Sequence, residues 1–552
     1  MRAMTLATAL LLGLAQGAVA QQPQELRQAP PVLARYADIP GLVFRSPYFA
    51  APSGRSFQPG TEAAGFTTQA EMEAFLDRLG NAATMARGSL GRSGQGRDIP
   101  WLLFTAEGVR DFAAARALGR PVLWIVGLQH GNEPAGGEAA LALAAELTPG
   151  GRLAELLASV TVVIVPRANP DGTALFTRDN AARADLNRDH VVLSQPETRG
   201  LHAAAALLPP DIILDLHEFT VGGRWMDKFG ALYAADFVFQ RATHPLVPPA
   251  ATALAEDLVL PAIRWAAAAG GLSAEIYQTT PTARPDDRRV ATGGNAPGIA
   301  RNAFALGGAV SILLETRGIG IGHQSFQRRV ASHVLAAEAV LRTVAAEPAR
   351  VLAATAAARA EAASADAPMV VAHRIAPSRG FAPLIDPATG APRIEPVEFL
   401  DARRIEPTVV RPRPVGFVLH GEALALRDRL ALRGVALCEV TAAGETEADR
   451  FTVTERGAAD ARAINPDLAV RVAAARGRAE FPAGALFVPL AQPAAPAALV
   501  ALDPDAPGGL IASGLLPGEA GAGVPVLRLP AGSARPAGLR AADPAHSGLC
   551  GG

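Results

Sequence analysis

The residues able to do chemistry fall in a few short stretches. His130 and Glu133 stand at His-x-x-Glu spacing in PVLWIVGLQHGNEPAGGEAALAL, directly after an apolar run. An imidazole and a carboxylate so placed suit zinc, which for hydrolysis usually takes three protein ligands and leaves one position to water. Two histidines and a glutamate are one of the established sets. The third ligand must come from elsewhere in the chain, and His217, at the end of DIILDLHEF, is the obvious choice. Asp215 and Glu218 flank it as competing ligands or orienting groups, although strand alternation turns Glu218 to the opposite side.

Positioning these groups requires strands that end together. Residues 122–128, 161–165, 212–216 and 311–314 are short, largely apolar runs that read as buried strands of a mostly parallel sheet. Polar residues follow each at once: Gln129-His130, Arg167-Ala168-Asn169, His217-Glu218 and Glu315-Thr316-Arg317. Ligands of open α/β sheets bind beyond the carboxyl ends of the strands, so these groups can share one crevice. A helix is predicted over 135–147, with Pro134 at its start. Another is predicted over 67–82, with Thr68 as N-cap and Glu71 as its capping-box partner. Residues 326–345 read as a helix and 279–298 as a rim loop of the crevice.

At this point the chain resembles a known family, the zinc metallocarboxypeptidases of the peptidase M14 type, as a bacterial exported member. His130-x-x-Glu133 matches the first two zinc ligands, His217 the third, and Glu315 in ILLETRG the general base. The stretch NPDGTALFTRDNAARADLNRD resembles the family's Asn-Pro-Asp-Gly turn followed by its substrate clamp. By that resemblance Asn187 and Arg188 hold the terminal carboxylate of a substrate, and Arg178 polarises the scissile carbonyl, with Arg183 nearby as its rival. Asp185 matches the carboxylate that orients the first histidine ligand, and Arg301 and Asn302 lie where residues line the side-chain pocket. The run 90–105, LGRSGQGRDIPWLLFT, looks like the opening of the catalytic domain. The resemblance covers 67–345 and implies one zinc ion, a peptide or peptide-like substrate with a free carboxylate, and hydrolysis of its C-terminal amide bond. Related zinc sites act on N-acyl amino acids or cell-wall peptides, and a secreted binding protein that keeps zinc without turnover is the reading from another class. One departure stands out. Well-known members carry a lid tyrosine between the third ligand and the base, whereas 291–315 contains none, and Tyr233 and Tyr277 lie upstream of the expected spacing.

The chain has 552 residues and 49% hydrophobic residues, which is too long for one ordinary domain and ample for a packed core. Residues 1–20 have a positive start, a short apolar stretch and an Ala18-Val19-Ala20 end, the pattern of a signal peptide for export to the periplasm or beyond. The apolar run is shorter than the ~20 residues a span needs, so no membrane anchor is expected after cleavage. A formal charge of −1, with Lys228 the lone lysine, offers no basic field for nucleic acid. Cys438 and Cys550 are the two cysteines; one bridge tying the tail down and two free thiols both remain open.

The expected fold is therefore α/β: a mostly parallel mixed sheet with flanking helices, plus a C-terminal β-rich domain. Its parts are a signal peptide (1–20), a lead-in (21–66), the catalytic domain (67–345), an Ala-rich helix or linker (346–368) and a β-rich accessory domain with a tail (369–552). In the last, GFVLH, ALCEV, RFTVT, ALFVPL and VLRLP are short apolar segments between turns. No catalytic constellation is legible there; contact with a cell-wall polymer is one expectation for it. His190, His202, His323 and His333 read as surface or packing histidines without motif support.

Overall fold

The computed structural model describes residues 25–50, 55–80, 82–364, 368–458, 468–516 and 518–550, so the signal-peptide pattern lies outside the described residues. In chain order the first ten strands are β1 (Met85–Arg92), β2 (Asp98–Phe104), β3 (Val122–Gly127), β4 (Thr161–Val165), β5 (Ile212–Thr220), β6 (Leu232–Tyr233), β7 (Phe237–Arg241), β8 (Ala274–Ile276), β9 (Val290–Ala291) and β10 (Val310–Ile319). All but β6 and β9 join one mixed sheet in the order β1-β2-β4-β3-β5-β10-β7-β8. Its centre, β4-β3-β5-β10, is parallel; on one side β2 is antiparallel to β4 and to β1, and on the other β7 is antiparallel to β10 and parallel to the edge strand β8.

The central strands are apolar throughout because both faces are covered. Leu123, Ile125, Leu214 and Leu216 pack into one core and Trp124, Val126 and Ile213 into the other, the period of two that a pleated strand imposes. Each fully buried side chain of this kind contributes roughly 1.5–3 kcal/mol. Helix α1 (Gln69–Leu79) begins at Thr68, and the capping box with Glu71 is complete. Helix α2 (Pro134–Leu147) starts on its proline, and α3 (Phe326–Ala346) packs beside it on the same core. Residues 25–50 wrap this unit: Leu26 N–H donates to Gly320 O (2.7 Å) and the Tyr36 hydroxyl to Ala234 O (2.6 Å). The Ala-rich stretch forms α4 (Pro348–Ala363), held by the Thr355 hydroxyl donating to Asp211 Oδ1 at 2.7 Å.

Two strands are longer than their apolar runs. β5 continues past Leu216 and β10 past Leu314, so His217 and Glu315 lie inside strands and face each other in register. β3 stops pairing at Gly127 opposite Leu216, but the β5–β10 ladder continues, since backbone pairing does not depend on side-chain polarity. That overrun projects both side chains beyond the end of β3.

From Met369 the chain forms a long antiparallel hairpin, β11 (Met369–Ile385) and β12 (Pro392–Arg411), absent from the sequence reading. β11 pairs with β6 and β12 with β9, so the change of composition at Met369 is crossed by sheet pairing. Ala382, Leu384 and Val397 pack inward with Tyr233 and Val290, whereas Phe381 and Ile394 face solvent, an alternation diluted by proline and arginine. Beyond it lie β13 (Gly416–Leu419), β14 (Cys438–Val440), β15 (Gly444–Arg456), β16 (Val470–Phe481), β17 (Leu486–Pro489), β18 (Gly523–Leu529) and β19 (Leu539–Ala541). They form a second sheet in the order β16-β15-β18-β13-β17-β14-β19, and each of the five apolar segments contributes a strand. Cys438 and Cys550 are bonded, which settles the open alternative in favour of a bridge across 112 residues.

Candidate active site

The turn after β3 builds the first half of the site. Leu128 adopts a left-handed φ of 55°, a conformation costly for a branched side chain, and Gly137 on α2 makes room for it: a Cβ there would lie 2.4 Å from Leu128 Cδ1. Gly131 lies so close to the Asn-Pro-Asp-Gly turn that a Cβ would sit 1.9 Å from the Gly172 carbonyl carbon. Asn169 locks that turn, its Oδ1 accepting from Gly172 N–H (2.8 Å) and its Nδ2 donating to Gln129 O (3.1 Å). The two motifs read separately in the sequence are thus one interlocked backbone unit.

On this unit His130, Glu133 and His217 converge, all buried. His130 Nδ1 lies 2.8 Å from Glu133 Oε1, His217 Nδ1 lies 2.8 Å from Glu133 Oε2, and the two Nδ1 atoms are 3.1 Å apart. The far nitrogens face carboxylates: His130 Nε2 is 3.1 Å from Asp185 Oδ1 and His217 Nε2 is 2.9 Å from Asp215 Oδ2. A carboxylate behind each imidazole keeps the proton there and turns the Nδ1 lone pair toward the shared point, the arrangement a metal-binding histidine needs. The donor set of two imidazoles and one carboxylate fits zinc with an open position. Of the flanking acids, Asp215 is the orienting one. Glu218 faces away, accepting from Ala135 N–H (3.0 Å) at the start of α2 and pairing with Arg329 at 2.7 Å.

A cleft of about 620 Å³ opens over the cluster, lined by His130, Arg178, Asn187, Arg188, Arg301 and Glu315 among others. Arg178 rather than Arg183 stands at the cluster, its Nη2 2.9 Å from Asp185 Oδ2 and its Nη1 3.6 Å from Glu133 Oε1. Arg183 is exposed on the following turn. Asn187 Oδ1 accepts from Ala300 N–H (2.8 Å), which fixes the amide and leaves its Nδ2 as a donor beside His217 Nε2. Arg188 Nη1 donates to Asn187 O (2.7 Å), while its Nε has no partner among the described residues. Arg301 is buried; its Nη2 donates to Gly294 O (2.7 Å), and no carboxylate pairs with it among the described residues. Burial lowers its pKa to about 10, so it stays charged at neutral pH. Asn302 is spent elsewhere, accepting from Thr243 and His244 amides at 2.8 and 3.2 Å. Burial is the main cause that raises Glu315 to about 7, with nearby Glu133 adding to it and His217 opposing it.

Two features escaped the sequence reading. Tyr277, set aside because of its spacing, lines the cleft, and its hydroxyl is pushed above its usual range by burial first and by Glu315 second. Its strand position after β8 returns it to the site through a fold-level connection that spacing alone does not show. The part the histidines play is the second: of the two alternatives, surface or packing, His190, His202 and His333 take packing, all three buried, and His333 Nε2 lies 3.0 Å from the His217 carbonyl oxygen. The rim segment is as expected, with Thr279, Thr280, Pro281, Thr282 and Gly293 on the cleft wall.

A model of the peptidase M14 family, described as zinc carboxypeptidase, matches residues 72–202, which include His130, Glu133, Arg178, Asp185, Asn187 and Arg188. Residues 72–202 of the chain are thus similar to that family. Carboxypeptidase 2 of Trichophyton rubrum is 34% identical over 318 residues, 56% of this chain and 58% of that protein. Probable carboxypeptidase 2 of Trichophyton verrucosum is also 34% identical over 318 residues, with 60% of its length covered. The chain therefore spans about three fifths of these curated relatives. A crystal structure of a metallo-carboxypeptidase from Burkholderia cenocepacia matches with a TM-score of 0.38 at 20% identity, covering 50% of this chain and 68% of that one. The matched family is described as zinc carboxypeptidase, and His130 and Glu133 within the match, with His217 beyond it, form a candidate metal site among the described residues.

Proposed function

We propose that this chain is an exported zinc-dependent metallocarboxypeptidase that hydrolyses the C-terminal amide bond of peptides or peptide-like substrates with a free carboxylate. The observation that carries this reading is the register pairing of Glu315 with His217, which sets a carboxylate with no ion-pair partner among the described residues beside the three-residue cluster in a cleft edged by arginines. Bound zinc supplies a Lewis acid that polarises the carbonyl and acidifies water. Glu315 takes the proton from the attacking water and returns it to the leaving amine, a role suited to a carboxyl raised toward neutrality. Arg178 meets the developing oxyanion, the kind of help worth roughly 3 kcal/mol per donor. Asp185 holds Arg178 and His130 together, so the guanidinium arrives already oriented. Arg188 offers a planar fork to the substrate's terminal carboxylate, and the Asn187 amide, 3.2 Å from His217 Nε2, adds a neutral donor beside it.

Arg301 supports a preference for an acidic or otherwise polar terminal side chain. A buried guanidinium without a protein carboxylate is costly, and a substrate carboxylate supplies the missing partner. Export is supported by the pattern in 1–20 and by the Cys438–Cys550 bond, since such bonds persist mainly in oxidising compartments. Among the described residues no helix is long and apolar enough to cross a membrane. The division at 346–368 into a catalytic unit and a C-terminal accessory part is part of the same proposal.

The test is a panel of peptides with free and amidated C-termini, beside N-acyl amino acids and muropeptides, with and without chelator, read by mass spectrometry. Release of single C-terminal residues from free-acid peptides alone, abolished by chelation, is the expected result. Cleavage confined to N-acyl amino acids or muropeptides selects the amidohydrolase reading. Zinc binding without any cleavage selects the binding protein.

A further inference from the structure

Behind His217 a line of buried side chains leads away from the cleft. Asp215 Oδ1 accepts from Gln129 Nε2 (2.6 Å), Gln129 Oε1 faces His190 Nε2 (2.7 Å), and His190 Nδ1 faces His202 Nε2 (3.1 Å). All five residues, from His217 to His202, are at most 5% exposed. The proton positions follow by elimination. An ionised carboxylate can only accept, so Gln129 must turn its amide nitrogen to Asp215 and its carbonyl oxygen to His190. His190 Nε2 then carries a proton, which leaves its Nδ1 as acceptor, and His202 Nε2 must carry the next. Every donor in the line points toward Asp215, the sense in which hydrogen bonds polarise one another. Burial lowers His190 to about 4 and His202 well below its ordinary value, so both rings are neutral and each can donate and accept at once.

We propose that Gln129, His190 and His202 are positioning residues for the metal ligand His217, holding Asp215 in the one orientation that keeps the His217 proton on Nε2 and its Nδ1 directed at the metal. The inference rests on the metal reading above. It assigns a task to groups that no sequence motif marks: they sit on three different segments and touch neither substrate nor metal. Asp215 is gripped from both sides, by His217 and by Gln129. Removing the Gln129 amide frees the carboxylate to turn, and the imidazole with it. Phe304 stacks on His202 at 4.7 Å between ring centres and fixes the far end.

The experiment measures zinc affinity of the full chain by competition with a chromophoric chelator. Gln129→Met and His190→Phe break the line at two points, while His190→Gln keeps a donor and an acceptor. Outer partners of metal ligands are typically worth 10–100-fold in affinity, so both breaks are expected to weaken zinc binding by about 10-fold or more, with His190→Gln within about threefold of the unmodified chain. Unchanged zinc affinity in both breaks, with a lower melting temperature of the metal-free protein, assigns the line to structure alone and overturns the proposal. A second measurement needs no variant to fold: nitrogen-15 shifts of the histidine rings in the metal-free protein should show His190 and His202 as neutral Nε2–H tautomers. An Nδ1–H tautomer or a charged ring at neutral pH in either overturns it. If His217→Ala binds zinc as well as the unmodified chain, the metal reading itself fails, and the ring tautomers still report separately on the line.

Discussion

Two buried charge clusters, one in each large sheet, are organised in opposite ways. In the C-terminal sheet Arg528 reaches Asp503 at 2.9 Å and Asp449 at 3.0 Å, and Asp449 also receives Arg476 at 2.8 Å, so the charges close on one another. Beside the eight-stranded sheet Glu315 and Arg301 face a cleft with no ion-pair partner of their own among the described residues, although Asp185 and Asp215 hold their neighbours firmly. A closed cluster satisfies the fold. An open one, kept open at the cost of burying charge, has its missing partner in the ligand.

The sharpest way to break this contrast is to remove the metal ligand that anchors the open cluster. His217→Ala should lose stoichiometric zinc and all measurable hydrolysis, checked by metal analysis and the peptide panel; retained zinc would overturn the ligand set. Next comes Glu315→Gln, which preserves shape and removes the proton acceptor. Turnover should fall by about 10²–10⁴-fold with zinc still bound, and full turnover would place the base elsewhere. Arg301→Ala sharpens the comparison by asking whether the unpaired cation serves substrate. It should cost about 10- to 100-fold in kcat/KM on peptides ending in Asp or Glu, the worth of one or two charge-assisted hydrogen bonds, and little on apolar ones; an equal loss on both classes counts against a specificity role. Arg528→Ala tests the closed cluster. Breaking a buried pair typically costs about 3–5 kcal/mol, so the melting temperature should drop while kcat/KM at a lower temperature stays within about twofold; a selective loss of kcat/KM would show that the second sheet reaches the chemistry.

The half that carries the candidate site was legible because chemistry and periodicity fall together there. Apolar runs of strand length end in His130, His217 and Glu315, and the capping box at Thr68 and the proline at Pro134 mark helix starts by local rules that tertiary context did not override. Extent was harder: β5 and β10 run on through polar residues because a neighbouring ladder continues, and a ladder is not written in one strand's side chains. The hairpin β11–β12 was missed for a related reason, since its buried face shows only against β6 and β9. Tyr277 and the line from Gln129 to His202 are assembled from distant segments, so no spacing rule marks them.

The pairing of β12 with β9 sets the order in which the molecule can be completed. Val290 and Ala291 enter the cleft rim just before Gly293, yet their strand partners are Phe399 and Leu400. During synthesis the ligands and the base are all in the growing chain while the rim still lacks its neighbour, and that neighbour arrives with a segment far down the message. Such a long-range closure is slow compared with local pairing. The rim's strand partner is therefore made after every candidate ligand, and a chain that stops after α4 carries His130, Glu133, His217 and Glu315 but leaves β6 without β11 and β9 without β12.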